Sequence, residues 1–140
     1  MQLSDELARL FALLSRLTSV NQRGASLGRV EYIVLARLAR DGAHRAGDLA
    51  QREGLEPSTL SRRISAMEQR GLLVRELDAG DRRAHLVEIT AEGRACFLAE
   101  QDRRIRLVTD AVQHWPEPDR DRLVQLLHDL NTSLQNRIIQ

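Results

Sequence analysis

Two short runs collect side chains suited to a polyanion. The first is Ser58-Thr59-Leu60-Ser61-Arg62-Arg63, hydroxyls and guanidinium groups packed around one leucine. Hydroxyls and guanidinium forks bond phosphate oxygens and the acceptor edge of guanine. The second is Asp81-Arg82-Arg83, at the end of the turn-forming stretch Asp78-Ala79-Gly80-Asp81. An arginine at a hairpin tip can enter a narrow minor groove, where the potential is negative, and an aspartate can orient it. The plain alternative for the first run is the solvated face of an amphipathic helix. For the second it is a local Asp81–Arg83 ion pair, worth little in water.

These groups act together only if the chain places them on one face. Leu60, Ile64 and Met67 recur at i, i+4 and i+7, which predicts a helix with one buried stripe. Burying that stripe turns Ser58, Arg62, Ser65 and Gln69 outward, with Thr59, Ser61 and Arg63 on the flanks. Pro57 suits the first turn, where a missing N–H costs nothing, and Gly71 is placed to end the helix. Upstream, Asp48-Leu49-Ala50-Gln51 predicts a short helix that stops at Gly54. The brief turn Glu53-Gly54-Leu55-Glu56 then completes a helix-turn-helix pattern. Downstream, Leu72–Leu77 and Ala84–Ile89 mix apolar and polar residues as half-buried strands do, around turn residues 78–81. A groove-sized helix followed by an arginine-tipped ribbon is a winged helix-turn-helix.

The run Asp81-Arg82-Arg83-Ala84-His85-Leu86-Val87-Glu88-Ile89-Thr90 resembles the wing signature of the MarR family of transcriptional regulators. That signature is an aspartate, an arginine two residues on, and a hydrophobic-Thr pair closing the second strand. Ser58-Thr59-Leu60-Ser61-Arg62 resembles the family's recognition-helix opening, and Glu68-Gln69-Arg70-Gly71-Leu72 its exit. The resemblance implies a homodimer whose terminal helices interleave, leaving two winged domains side by side. Two recognition helices related by a two-fold axis would read an inverted repeat in double-stranded DNA, with half-sites about one turn apart. It also implies a small molecule, often an anionic aromatic, bound between the winged domain and the dimerisation helices. Such a ligand releases DNA by preferring a helix spacing that does not match the duplex.

The rest of the chain fits around this centre. Leu3, Leu7, Leu10, Leu14 and Leu17 form a heptad seam, widened by Phe11 and Leu13. Asn21 to Gly28 reads as a linker, Val30, Ile33, Val34 and Leu38 as a helix ending near Asp41-Gly42, and Ala43 to Ala46 as a short connection. Thr90 is an expected N-cap, with Gly93 tolerated in the first turn. Leu98, Ile105, Val108, Val112 and Trp115 make the seam of a long helix, with Asp102, Arg103, Arg104 and Arg106 on its wet side. Pro116 and Pro118 break it, and Leu123, Leu126 or Leu127, Leu130, Leu134 and Ile138 make a last amphipathic helix. Three apolar helices exceed what a winged domain of about 60 residues can cover, and a symmetric dimer is the usual remedy. The expected fold is therefore mainly α with a small β-wing. Residues 1–28 and 90–140 form a helical dimerisation region around a winged helix-turn-helix at 29–89.

Composition narrows the function. Net charge is only +1, yet Pro57 to Arg75 holds four arginines (62, 63, 70, 75) against the single acid Glu68. All 21 basic residues are arginine, the side chain best shaped for bidentate phosphate contacts. Aromatics are scarce, which argues against a stacking platform for single strands. The lone Cys96 excludes an internal disulfide and reads as a packed residue rather than a sensor. His44, His85, His114 and His128 form no metal-ligand spacing, so no metal or cofactor is expected. Gly24-Ala25-Ser26-Leu27-Gly28 matches a nucleophile elbow in letters only, because that motif needs a strand and an α/β sheet around it. Asn131-Thr132-Ser133 is a formal glycosylation site within a helical pattern, and no secretion signal or membrane span is visible. A cytoplasmic, non-enzymatic, DNA-binding repressor is expected. The alternative is a winged-helix protein-interaction module.

Overall fold

The computed structural model describes residues 2–20 and 27–139, without the side chains at 19, 20, 82 and 83. The letters of the nucleophile-elbow match at 24–26 lie outside the described residues. Elements follow in the order α1 (Leu3–Val20), α2 (Arg29–Asp41), β1 (His44–Arg45), α3 (Ala46–Glu53), α4 (Pro57–Gln69), β2 (Leu73–Asp78), β3 (Asp81–Ile89), α5 (Ala91–Val112) and α6 (Glu117–Ile139).

The sheet has three antiparallel strands in the order β1-β3-β2, not the two expected. The segment read as a connection, Ala43 to Ala46, contains β1, whose His44 and Arg45 pair with Val87 and Leu86. Two residues are too few to show a period of two, so the strand leaves no pattern. β2 and β3 pair from Leu73↔Ile89 to Leu77↔His85, with a register shift before Asp78↔Asp81.

One apolar cluster spans Leu27 to Phe97 and centres on Val34, Leu35 and Leu38 of α2, Leu49 of α3, Leu60, Ile64 and Met67 of α4, and Leu73 and Val87 of the sheet. The stripe read from sequence is thus the buried face of α4. Both helices of the pair end alike. Gly54 and Gly71 adopt left-handed φ of 64° and 76°, and Leu55 and Leu72 bond back to the carbonyls of Ala50 and Met67. That αL close needs a residue without a Cβ penalty, and the apolar residue after it packs inward.

The entry to α5 depends on two residues. The Thr90 hydroxyl accepts from the Gly93 N–H at 2.9 Å and donates to the Gly71 carbonyl at 2.6 Å. Gly93 is required rather than tolerated, because a Cβ there would lie 1.8 Å from the Leu72 carbonyl oxygen.

Arg103 and Arg104 do not belong to a wet side. Both grip Glu100, which is only 2% exposed, at 2.8 and 2.9 Å. The Arg103 hydrogen bonds hold the Glu100 carboxyl below its usual range against the opposing effect of burial. Arg104 also lies 3.8 Å above the Tyr32 ring, and Tyr32 stacks at a tilt on Phe97. These contacts fasten α5 to α2.

The chain divides into two units, 1–104 and 105–140. In the second, Pro118 sits in the first turn of α6, and α6 buries none of its residues.

Candidate nucleic-acid interface

Helix α4 carries the first polar run on the side opposite its buried stripe. Ser58, Thr59, Ser61, Arg62 and Arg63 are all exposed. Their surroundings differ. Arg63 donates to Glu31 of α2 at 3.2 Å, with the Arg63 side chain 54% exposed and that of Glu31 only 12%. The guanidinium is thus on the open side of the pair, where an anion can approach it. Arg62 has no recorded partner among the described residues. Ser65, expected to face outward, is half-buried and accepts from Arg75 of β2 at 3.0 Å.

The start of α4 is held by a residue that sequence reading passed over. Glu56 is the N-cap, and its carboxylate accepts from the backbone N–H groups of Ser58 and Thr59 at 3.2 and 2.9 Å. It also accepts from both hydroxyls, the Thr59 contact being 2.9 Å. These bonds, led by the Ser58 hydroxyl, lower its pKa from 4.5 to about 2. An acid directly before Pro57, with hydroxyls behind it, is the signal that could have revealed the cap.

Arg75 joins the ribbon to the helix. Its guanidinium reaches the Ser65 hydroxyl and, at 3.4 Å, the Ser61 carbonyl, while its own N–H donates to the Glu68 carboxylate at 3.2 Å.

At the far end of the ribbon the turn is braced from β1. Arg45 donates to Asp78 from Nε at 3.0 Å and Nη2 at 2.6 Å. The other Asp78 oxygen accepts the Gly80 N–H at 2.9 Å. The Gly80 and Arg45 bonds hold the Asp78 carboxyl below its ordinary value. Asp81, the aspartate singled out in sequence, is exposed at the start of β3. Arg82 and Arg83 follow it on the same strand, but their side chains lie outside the described residues. Asp78 is thus an acid that braces the turn, and its partner lies 33 residues upstream, where no local pattern announces it.

A second feature lies away from this face. A cavity of about 470 Å³ is walled by Phe11, Leu14, Tyr32 and Ile33 and edged by Arg29 and Arg104. Among the described residues, no three His, Cys, Asp or Glu are grouped to hold a metal ion, and no helix is long and apolar enough to cross a membrane.

Comparison with known proteins sharpens the picture. The model of the MarR family matches residues 27–85. The uncharacterized HTH-type transcriptional regulator YxaD of Bacillus subtilis is 31% identical over 110 residues, covering 79% of this chain and 77% of that protein. Among solved structures, the transcriptional regulator Tm0710 of Thermotoga maritima superposes with a TM-score of 0.79 at 19% identity, over 98% of this chain and 96% of its own. BpsR of Bordetella bronchiseptica, whose DNA binding is regulated by 6-hydroxynicotinic acid, matches with a TM-score of 0.65 at 22% identity over 93% of each chain.

Proposed function

This chain belongs to the MarR family of DNA-binding transcriptional regulators, and on that footing we propose that it is a homodimeric, non-enzymatic repressor that works in the cytoplasm and is released from DNA by a small anionic aromatic ligand. The observation that carries the reading is the split of α4, with Leu60, Ile64 and Met67 buried and Ser58, Thr59, Ser61, Arg62 and Arg63 exposed beside the ribbon. Helix α4 enters the major groove, while Arg83, with Arg82, enters the minor groove and Asp81 orients the wing arginine.

The dimer rests on uncovered apolar surface. Leu3, Leu10 and Phe11 of α1 and Val124, Leu130, Leu134 and Ile138 of α6 are exposed in a single copy. A second copy covers them and sets two winged regions, at 29–89, side by side over an inverted repeat. The helices at 1–28 and 90–140 are then the dimerisation region.

The ligand reading rests on the cavity near Tyr32. Its walls are apolar and aromatic, and Arg29 and Arg104 supply positive charge. An acid on an aromatic ring, of the kind 6-hydroxynicotinic acid represents, has the matching chemistry.

A gel-shift titration against the DNA flanking the protein's own gene tests the reading. The expected result is a complex on an inverted repeat whose affinity falls steeply with salt, as arginine–phosphate contacts require. Arg83→Ala is expected to weaken binding while leaving the fold and the dimer intact. Absence of any salt-dependent DNA complex would favour the protein-interaction reading.

A further inference from the structure

The leading turn of α4 is polarised in one direction. Glu56 accepts the hydroxyl protons of Ser58 and Thr59 as well as their backbone N–H groups. A hydroxyl has one proton and two lone pairs. With both protons turned to the carboxylate, each hydroxyl offers an outside partner acceptor capacity alone. All three residues are exposed, so that capacity faces whatever the helix meets. A helix start with open N–H groups attracts phosphate. Here an ionised acid already occupies it and repels phosphate, which drives this turn off the backbone and toward base edges.

We propose that Glu56 is a specificity-determining residue: by fixing the Ser58 and Thr59 hydroxyls as acceptors, it makes the start of α4 read exocyclic amino groups in the major groove. Those groups are cytosine N4 and adenine N6, the donors that groove displays. The Glu56 carboxylate can itself accept from cytosine N4. Arg62 and Arg63, one turn on, keep the opposite task of reading guanine acceptors and phosphates. The inference deepens the DNA-binding reading above and rests on it.

Selection of sites from randomised duplexes, followed by base analogues that lack single atoms, tests this. Removing the amino group of the adenine (as purine) or cytosine (as pyrimidin-2-one) under the helix start should weaken wild-type binding about tenfold. Replacing N7 of a purine there by carbon should change nothing. Ser58→Ala and Thr59→Val should each erase the amino-group sensitivity at their own base. Glu56→Ser keeps a capping hydroxyl but frees the neighbouring protons, and where the base is adenine should make the position respond to loss of the N7 acceptor. Wild-type sensitivity to acceptor loss that disappears in Ser58→Ala or Thr59→Val would overturn the proposal. So would amino-group sensitivities that neither variant moves. A wild-type protein that enriches no sequence at all would instead defeat the DNA-binding reading on which the proposal stands.

Discussion

The winged region and α6 are both leucine-rich, yet they treat their apolar residues in opposite ways. Between Leu27 and Phe97 most large apolar side chains close on one another, and Val34, Leu35, Leu49, Ile64, Leu73 and Val87 are fully buried, while Val74 and Leu77 on β2 stay exposed. In α6 the same residue types stay open, with Val124 at 67% and Ile138 at 79% exposure. Composition does not separate the two. The difference is the set of local partners: α4 folds back on α2, α3 and the sheet within 60 or so residues (a reach in which loop closure is cheap), whereas α6 has one apolar face and a short link behind it. A core that closes within one chain marks a self-sufficient unit, and a seam left open fits the partner-covered surface proposed above.

Ways to break that contrast run from the closed core outward. Ile64→Ala deletes atoms at the centre of the cluster and is expected to cost about 4 kcal/mol in denaturant unfolding; a loss below about 1 kcal/mol would mean the core is looser than described. Gly93→Ala drives a methyl against the Leu72 carbonyl, 1.8 Å away without movement, and should cost about 3 kcal/mol. Thermal melts of Gly93→Ala would check it.

Acid gives a smaller effect with a definite sign. Glu56 titrates at about 2 in the folded chain against an ordinary 4.5. Its stabilisation is therefore complete above about 4.5 and is lost as pH falls through about 2. Unfolding measured across that window should show a slope that Glu56→Gln reduces, the remainder coming from other carboxyls held low, among them Asp78 and Glu100. The smallest effect on the winged unit is expected from Leu130→Glu in α6: within about 0.5 kcal/mol by hydrogen exchange at Val34, Ile64 and Val87. The same variant should shift sedimentation toward single copies. Equal losses in exchange protection would erase the contrast between the two regions.

How much of this was legible from the residues follows the range of each interaction. The α4 stripe, the Gly54 and Gly71 stops and the β2–β3 ribbon are written in local spacing, and all appear in the structure. Strand β1 was hidden because two residues carry no alternation. The Arg45–Asp78 brace and the Arg75–Ser65 bond were hidden because their partners are far apart in the chain. Arg103 and Arg104 looked like a wet face because nothing in sequence marks Glu100 as buried. At the candidate interface the exposed hydroxyls and arginines of α4 were visible, but not the direction of their hydrogen bonds, which a glutamate outside the expected cap residues decides.

Arg75 has a consequence for any switching of this protein. Because its side chain and its backbone both hold α4, ribbon and helix cannot drift apart without breaking three bonds at once. In the dimer proposed above, each head would behave like the rigid jaw of a caliper. A signal that loosened its grip on a duplex would have to change the gap between two jaws, since it would have little leverage to bend either one.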